Sequence, residues 1–248
     1  MPTIAHTQIL KMNLGFKKIK KMKNILPLLI CFILISSCNN NSKVKYVNVE
    51  SQKRYSDIAF KEIKKSFDYK IIDEKSINDS VIITFKLSDS EQVKEPSMSN
   101  KLNLLSLIDT KFNLIELEKI ENFKKDNPSV INFWFTSCYP CIIEMPYLEK
   151  MRNKYSDNIN FIGITFNSKK EIEKFEEKYK FNFKHITVNK NNISEFGVIS
   201  YPKTFFIDNN GIIKNYVDGI NIVKDKNGKI KIDENDNKIE EEITKLLQ

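Results

Sequence analysis

The run SVINFWF (129–135) constrains the fold more than any other stretch of this 248-residue chain. It is nearly continuous in apolar residues, rich in β-branched and aromatic ones, and too short for a core helix. Such a run reads as a central strand buried on both faces, which requires neighbouring strands and covering helices. The sequence that follows supplies both. Residues 141–155 read as a helix, NINFIGITF (158–166) as a second buried strand, and SKKEIEKFEEKYK (168–180) as a helix opened by the S-x-x-E capping box. FKHITV (183–188) is a further strand, and TFFID (204–208) and IIKNYV (212–217) flank an Asn-Asn-Gly turn. A second Asn-Gly pair predicts an extra hairpin at 221–232, and residues 239–248 close the chain as an amphipathic helix. This alternation predicts an α/β fold, with a central mixed sheet flanked by helices.

Upstream, the signals are weaker. YSDIAFKEIKKSF (55–67) spaces Ala59, Ile63 and Phe67 as a short amphipathic helix, and VIITFKL (81–87) alternates as a half-buried strand. With DYKII (68–72) they predict a small α+β appendage in which no chemistry is evident. SDSEQVKEPSMSN (88–100) reads as a linker, and LLSLID (104–109) with NLIEL (113–117) as a hairpin leading into the main sheet.

The formal charge of +8 suggests a nucleic-acid partner until its location is considered. Residues 1–37 hold six lysines and no acid, so the remainder carries 34 basic against 32 acidic residues. The excess belongs to the N-terminus, and nucleic acid is not an expected partner. There a basic stretch, KKIKKMK (17–23), precedes the uncharged run ILPLLICFILI (25–35). That run is short of the roughly 20 residues that a membrane-spanning helix needs, but fits the core of a signal peptide. The I-S-S-C that follows at 35–38 resembles the lipobox of bacterial lipoprotein signal peptides. The resemblance implies a lipid on Cys38 and a mature chain beginning there. Met22 would start a compact signal by itself, leaving residues 1–21 as an upstream start or a cloning extension. The alternative is an uncleaved anchor helix. Either reading carries residues 39–248 across a membrane, to the periplasmic or extracytoplasmic face of a bacterial cell envelope.

Of the four cysteines, Cys31 lies in the signal core and Cys38 at the lipid site, which leaves Cys138 and Cys141. Two cysteines and His185 are too few for a structural zinc centre within one chain, so no metal is expected. A bridge over two intervening residues closes too small a loop to staple a fold. A working dithiol remains. Thiol exchange needs one accessible thiolate and a second thiol that can release the mixed disulfide. Cys138, placed between strand and helix, sits where unpaired N–H groups and the helix dipole favour a negative sulfur. Cys141, one turn inside, suits the resolving role. Pro140 is tolerated in a first helical turn, whereas Pro146 lies deeper and predicts either a kink or a helix that ends at Met145.

Two segments, N-F-W-F-T-S-C-Y-P-C-I-I-E-M-P-Y-L (132–148) and F-G-V-I-S-Y-P-K-T-F-F-I-D (196–208), resemble the thioredoxin superfamily, in particular its TlpA/ResA-like membrane-tethered thiol–disulfide oxidoreductases. The resemblance covers about residues 101–248. Together with the lipobox and the upstream patterning, it gives an expected division into a lipoprotein signal peptide over 1–37, a tether, small α+β appendage and linker over 38–100, and a thioredoxin-like domain over 101–248. It implies catalysis by Cys138 and Cys141 with no cofactor, and support from Trp134. The Tyr201–Pro202 bond is expected to be cis, with Tyr201, Tyr139 and Pro140 lining a substrate groove. It suggests that Glu144 manages protons at the cysteines; the plainer reading is a carboxylate favoured by the helix dipole. Asn132 stands where cytoplasmic thioredoxins carry a buried aspartate, and His185 reads as an ordinary strand histidine. The expected activity is reduction of disulfides in exported proteins, with electrons from a membrane thiol donor. Alternatives are an oxidase or isomerase using the same cysteines, and a non-catalytic lipoprotein scaffold that binds a partner. Phe135 occupies the threonine position of the T-x-x-C peroxidatic motif, which counts against peroxidase chemistry.

Overall fold

The computed structural model describes residues 43–88, 96–113, 117, 119–233 and 235–248. The expected signal peptide, Cys38 and the tether lie outside these residues, as does part of the linker.

The main sheet has five strands: β5 (Ser129–Phe133), β6 (Asn160–Thr165), β7 (Lys184–Thr187), β8 (Lys203–Ile207) and β9 (Ile213–Val217), in the order β7-β6-β5-β8-β9. β5 pairs in parallel with β6 and antiparallel with β8, so the most apolar run occupies the centre. Successive side chains alternate between the faces. Val130 enters a core with Trp134, Cys141, Met145 and Leu148, while Ile131 and Phe133 enter a second core with Ile162, Ile164 and Phe205.

The first core lies beneath helix α3 (Tyr139–Tyr155), α4 (Lys169–Glu176) and α6 (Lys238–Leu246), which contribute Leu148, Phe175 and Ile243 among others. α4 begins at Ser168 with the reciprocal capping box that its sequence predicts. α3 runs through Pro146, which settles the choice left open at Met145: the proline lies inside the helix and leaves the Ile142 carbonyl without its usual donor. The second core is covered in part by the short α5 (Lys190–Glu195), through Ile193. β10 (Ile222–Lys224) and β11 (Ile230–Ile232) form the extra hairpin.

The upstream elements make a four-stranded sheet, β2-β1-β4-β3, from β1 (Lys43–Asn48), β2 (Arg54–Tyr55), β3 (Tyr69–Ile77) and β4 (Ser80–Leu87). α1 (Asp57–Ser66), capped by the Ser56 hydroxyl, places Ala59, Phe60 and Ile63 in a third core with Phe85 and Leu87. The first strand of the expected hairpin, 104–109, is corrected by α2 (Pro96–Leu107), and the second, 113–117, lies largely outside the described residues. Pro96 suits a first helical position, and Leu104, Leu105 and Ile108 fall at helical rather than alternating spacing. The same helix takes up the end of the expected linker and runs across residues 100 and 101. Leu104 enters the second core, whereas Leu105 and Ile108 enter the third. With one helix seated in both, residues 43–248 form one compact unit.

Candidate active site

α3 begins where β5 ends, and the connection is held at two points. The Asn167 side chain accepts from Thr136 N–H at 2.9 Å, and the Phe135 carbonyl accepts from Cys138 N–H at 3.0 Å. Cys138 is the N-cap of α3, and its sulfur accepts from the Cys141 N–H at 3.3 Å. Cys138 and Cys141 form a disulfide, with Cα atoms 5.3 Å apart. Cys141 is fully buried, and Cys138 is only 4% exposed. In the disulfide form only an edge of Cys138 meets solvent. Beside it, Tyr139 is 58% exposed, and Pro140 is exposed as well.

Trp134 supports the connection from below, wholly buried against Phe175, Phe181 and His185. Gly163 is required at this level, because a Cβ there would overlap His185 Nδ1 and lie 2.8 Å from Trp134 Nε1. His185 contacts the Phe181 carbonyl at 3.2 Å and the Glu176 carboxylate at 3.1 Å. Burial nevertheless depresses its pKa to about 4, so it is neutral at physiological pH.

The Tyr201–Pro202 peptide bond is cis. Tyr201 is half-buried, its ring edge-on to Phe135 at 5.2 Å and to Phe166 at 6.2 Å. A Cβ on Gly219, whose φ is +72°, would lie 2.9 Å from Pro202 Cγ and 3.4 Å from Glu144 Oε2. The β9 loop therefore brings Pro202 and Glu144 together, and only glycine permits that approach.

Glu144 is 1% exposed. Its Oε1 accepts from Asn132 Nδ2 at 2.9 Å, and its Oε2 from the Ile220 N–H at 3.3 Å. Asn132 Nδ2 also donates to Thr204 Oγ1 at 3.0 Å. Burial raises the Glu144 pKa to about 7, against the opposing pull of these donors. The plain dipole reading of this carboxylate does not account for its position: it is enclosed, and about half protonated at neutral pH. It is thus not the permanent anion that its sequence alone suggests.

Sequence reasoning missed the partners of this group. Thr204 lies in the 196–208 segment with no role signalled by its type, and the Asp-Gly pair at 218–219 is the one sequence sign of Gly219 and Ile220. It also missed Lys203, which is 1% exposed and ion-paired with Asp218 at the start of the same loop. Among the described residues no cluster of three or more metal-ligating side chains occurs, and no helix is long and apolar enough to cross a membrane.

A buried disulfide at the N-terminus of a helix, on a mixed sheet of this order and with a cis-proline in the fold, defines a thioredoxin-like redox protein. Residues 93–216 match the AhpC/TSA family, half of the chain, and the chain belongs to that family. It is 30% identical over 113 residues to the thioredoxin-like protein YneN of Bacillus subtilis, covering 44% of this chain and 66% of that one. It is 32% identical over 92 residues to the thiol-disulfide oxidoreductase ResA of Geobacillus thermodenitrificans, covering 36% and 53%. The chain thus spans between about half and two thirds of the length of these curated relatives. Among solved structures, a putative thiol:disulfide interchange protein DsbE from Chlorobium tepidum aligns with a TM-score of 0.41 at 19% identity, covering 50% of this chain and 82% of that one.

Proposed function

We propose that this protein is a thiol–disulfide oxidoreductase that reduces disulfides in exported proteins. The observation that carries the reading is the Cys138–Cys141 pair capping α3, with Cys138 as the outer sulfur and Cys141 enclosed. In the reduced protein, the Cys138 thiolate attacks one sulfur of a substrate disulfide. That S–S bond breaks, one substrate thiolate leaves, and a mixed disulfide with Cys138 remains. Cys141 then loses its proton and attacks the Cys138 sulfur. The mixed disulfide breaks, the second substrate thiol leaves, and the protein holds the Cys138–Cys141 disulfide. Two electrons have passed to the substrate. A membrane thiol donor returns the pair to its reduced form, since the compartment is oxidising.

Glu144, one turn beyond Cys141, takes the proton that Cys141 gives up. Its pKa of about 7 makes it able both to accept and to return that proton near neutral pH. Tyr139, Pro140 and Tyr201 offer the surface on which a substrate segment rests, and Pro202 and Trp134 hold the pair in place. The tether is a lipid on Cys38, supported by the basic stretch, the apolar run and I-S-S-C. A lipid mass at the N-terminus of the mature chain supports this, and an unlipidated N-terminus elsewhere ends it.

The test of activity is reduction of insulin by the dithiol form. Wild-type protein should turn over, Cys138→Ser should be inactive, and Cys141→Ser should accumulate mixed disulfides. An intact dithiol that reduces no disulfide would leave the scaffold reading. Equilibration against glutathione buffers tests direction: a potential nearer about −270 mV than about −120 mV is expected of a reductant.

A further inference from the structure

We propose that the Asn132 amide and the Thr204 hydroxyl form a reversible hydrogen-bond exchanger that inverts its donors and acceptors as Glu144 gains and loses its proton. The inference rests on Glu144 as the group that takes the proton from Cys141, and adds the machinery that lets it do so inside the protein.

The three side chains are almost fully enclosed, and water does not reach the carboxyl group freely. In the arrangement described, both hydrogens of Asn132 Nδ2 are used, one on Glu144 Oε1 and one on Thr204 Oγ1. Asn132 Oδ1 is buried with no partner. That set suits a carboxylate, which only accepts. It does not suit a carboxylic acid, whose O–H needs an acceptor. On the Oε2 side the described hydrogen-bond partner is the Ile220 N–H, a donor. On the Oε1 side stands the amide nitrogen, which has no lone pair to offer.

Rotating the Asn132 amide by half a turn exchanges its ends. Oδ1 then faces both Glu144 and Thr204, accepting the acid O–H from one and the hydroxyl hydrogen from the other. Thr204 can take part in either arrangement because a hydroxyl both donates and accepts. The rotation needs no backbone movement. Asn132 and Thr204 are directly paired across the β5–β8 ladder, which fixes their separation, and the terminal torsion of asparagine is broad and roughly two-fold. The described arrangement leaves Oδ1 unpaired and the inverted one leaves Nδ2 unpaired. The proton on Glu144 decides between them.

Ionisable groups on the surrounding elements include Cys141 and Tyr147 on α3, Lys203 on β8, Asp218 on the β9 loop, and Asp236 ahead of α6. Lys203 is committed to Asp218 and, as the strand neighbour of Thr204, projects from the other face of β8. Asp236 accepts from the Asn221 N–H.

Side-chain NMR of the intact protein tests the exchanger without an activity assay. Well above the Glu144 midpoint, the Asn132 Nδ2 hydrogens should show contacts to the Thr204 methyl and the Glu144 methylenes. Well below it those contacts should be lost, with the same midpoint as the Glu144 carboxyl carbon. An amide that keeps its contacts throughout overturns the proposal. Thr204→Ser, which keeps the hydroxyl, should retain the inversion, and Thr204→Val should lose it while Glu144 still titrates. Identical behaviour of the two variants removes the hydroxyl from the proposal. Asn132→Leu should raise the Glu144 midpoint and shift the pH profile of mixed-disulfide release to higher pH; an unmoved midpoint also counts against the exchanger. A protein that reduces insulin but does not invert the amide sinks the exchanger and leaves the activity standing. An amide that inverts in a protein with no turnover supports the exchanger and sinks the activity instead.

Discussion

Glu144 shows how far a residue's surroundings can move its chemistry. A carboxylate three residues beyond a cysteine suggests an anion that opposes a thiolate. Enclosure instead holds it near the midpoint of its titration at neutral pH. The consequence is measurable in Glu144→Gln. Release of a mixed disulfide by Cys141 should lose its inflection near pH 7, with the largest slowing above that pH, where the native group is an ionised acceptor. Below it the native carboxyl is already protonated, and variant and native protein should converge. Stopped-flow measurement of release from a labelled mixed disulfide reads this directly; parallel profiles across the whole range would remove Glu144 from the proton path. At this scale the sequence was informative about identity and silent about partnership. Asn132 and Glu144 stood out beside the cysteine motif, but nothing in a linear string reveals that Thr204, Gly219 and Ile220 return to the same spot across some seventy residues.

Among elements, the legible ones were those whose pattern is set by one surface. β5 and β6 are buried on both faces and read as continuous apolar runs, and α4 carries its own start signal in Ser168 and Glu171. α2 was illegible for the opposite reason. It serves two cores, so its apolar residues spread around the helix and present no single stripe. The join of β8 to the β9 loop was equally hidden, since it depends on a buried charge. Lys203 is enclosed, with its ammonium on Asp218 and 5.7 Å from the Tyr216 ring, and burial lowers its pKa to about 8. Removing the anion strands a buried cation, whereas removing the cation leaves an exposed carboxylate that water can satisfy. Asp218→Asn should therefore destabilise the protein by about 2 kcal/mol, and Lys203→Met by less. Urea denaturation of both variants checks the order, and a larger loss in Lys203→Met would contradict it.

For the whole molecule, two buried groups whose pKa values shift in opposite directions shape stability in opposite ways. Glu144 binds its proton more tightly folded, at about 7, than unfolded, at 4.5. Its contribution is fully present below 4.5 and is lost as pH rises towards 7. His185 binds its proton less tightly folded, at about 4, than unfolded, at 6.5. Its contribution is present above 6.5 and is lost as pH falls towards 4. Each amounts to roughly 3 kcal/mol at full extent. Between 4.5 and 6.5 the two slopes oppose each other, and native stability should be nearly flat there. Glu144→Gln should uncover a stability that rises with pH across that window, and His185→Gln one that falls. Denaturant midpoints taken across the range would show it, and two variants with the same slope as native protein would refute the assignment.

The double seating of α2 bears on how this chain could be divided or recombined. A cut between residues 100 and 101 looks like a clean border on paper, yet it would sever a helix and strip the second core of a supported Leu104. The redox portion so released would carry a raw apolar seam, inviting precipitation, and the upstream sheet would lose Leu105 and Ile108 from its lid. Neither piece is a cassette that can be lifted out and grafted elsewhere. Movement of the upstream sheet is passed to the redox portion through a shared helix rather than a slack leash.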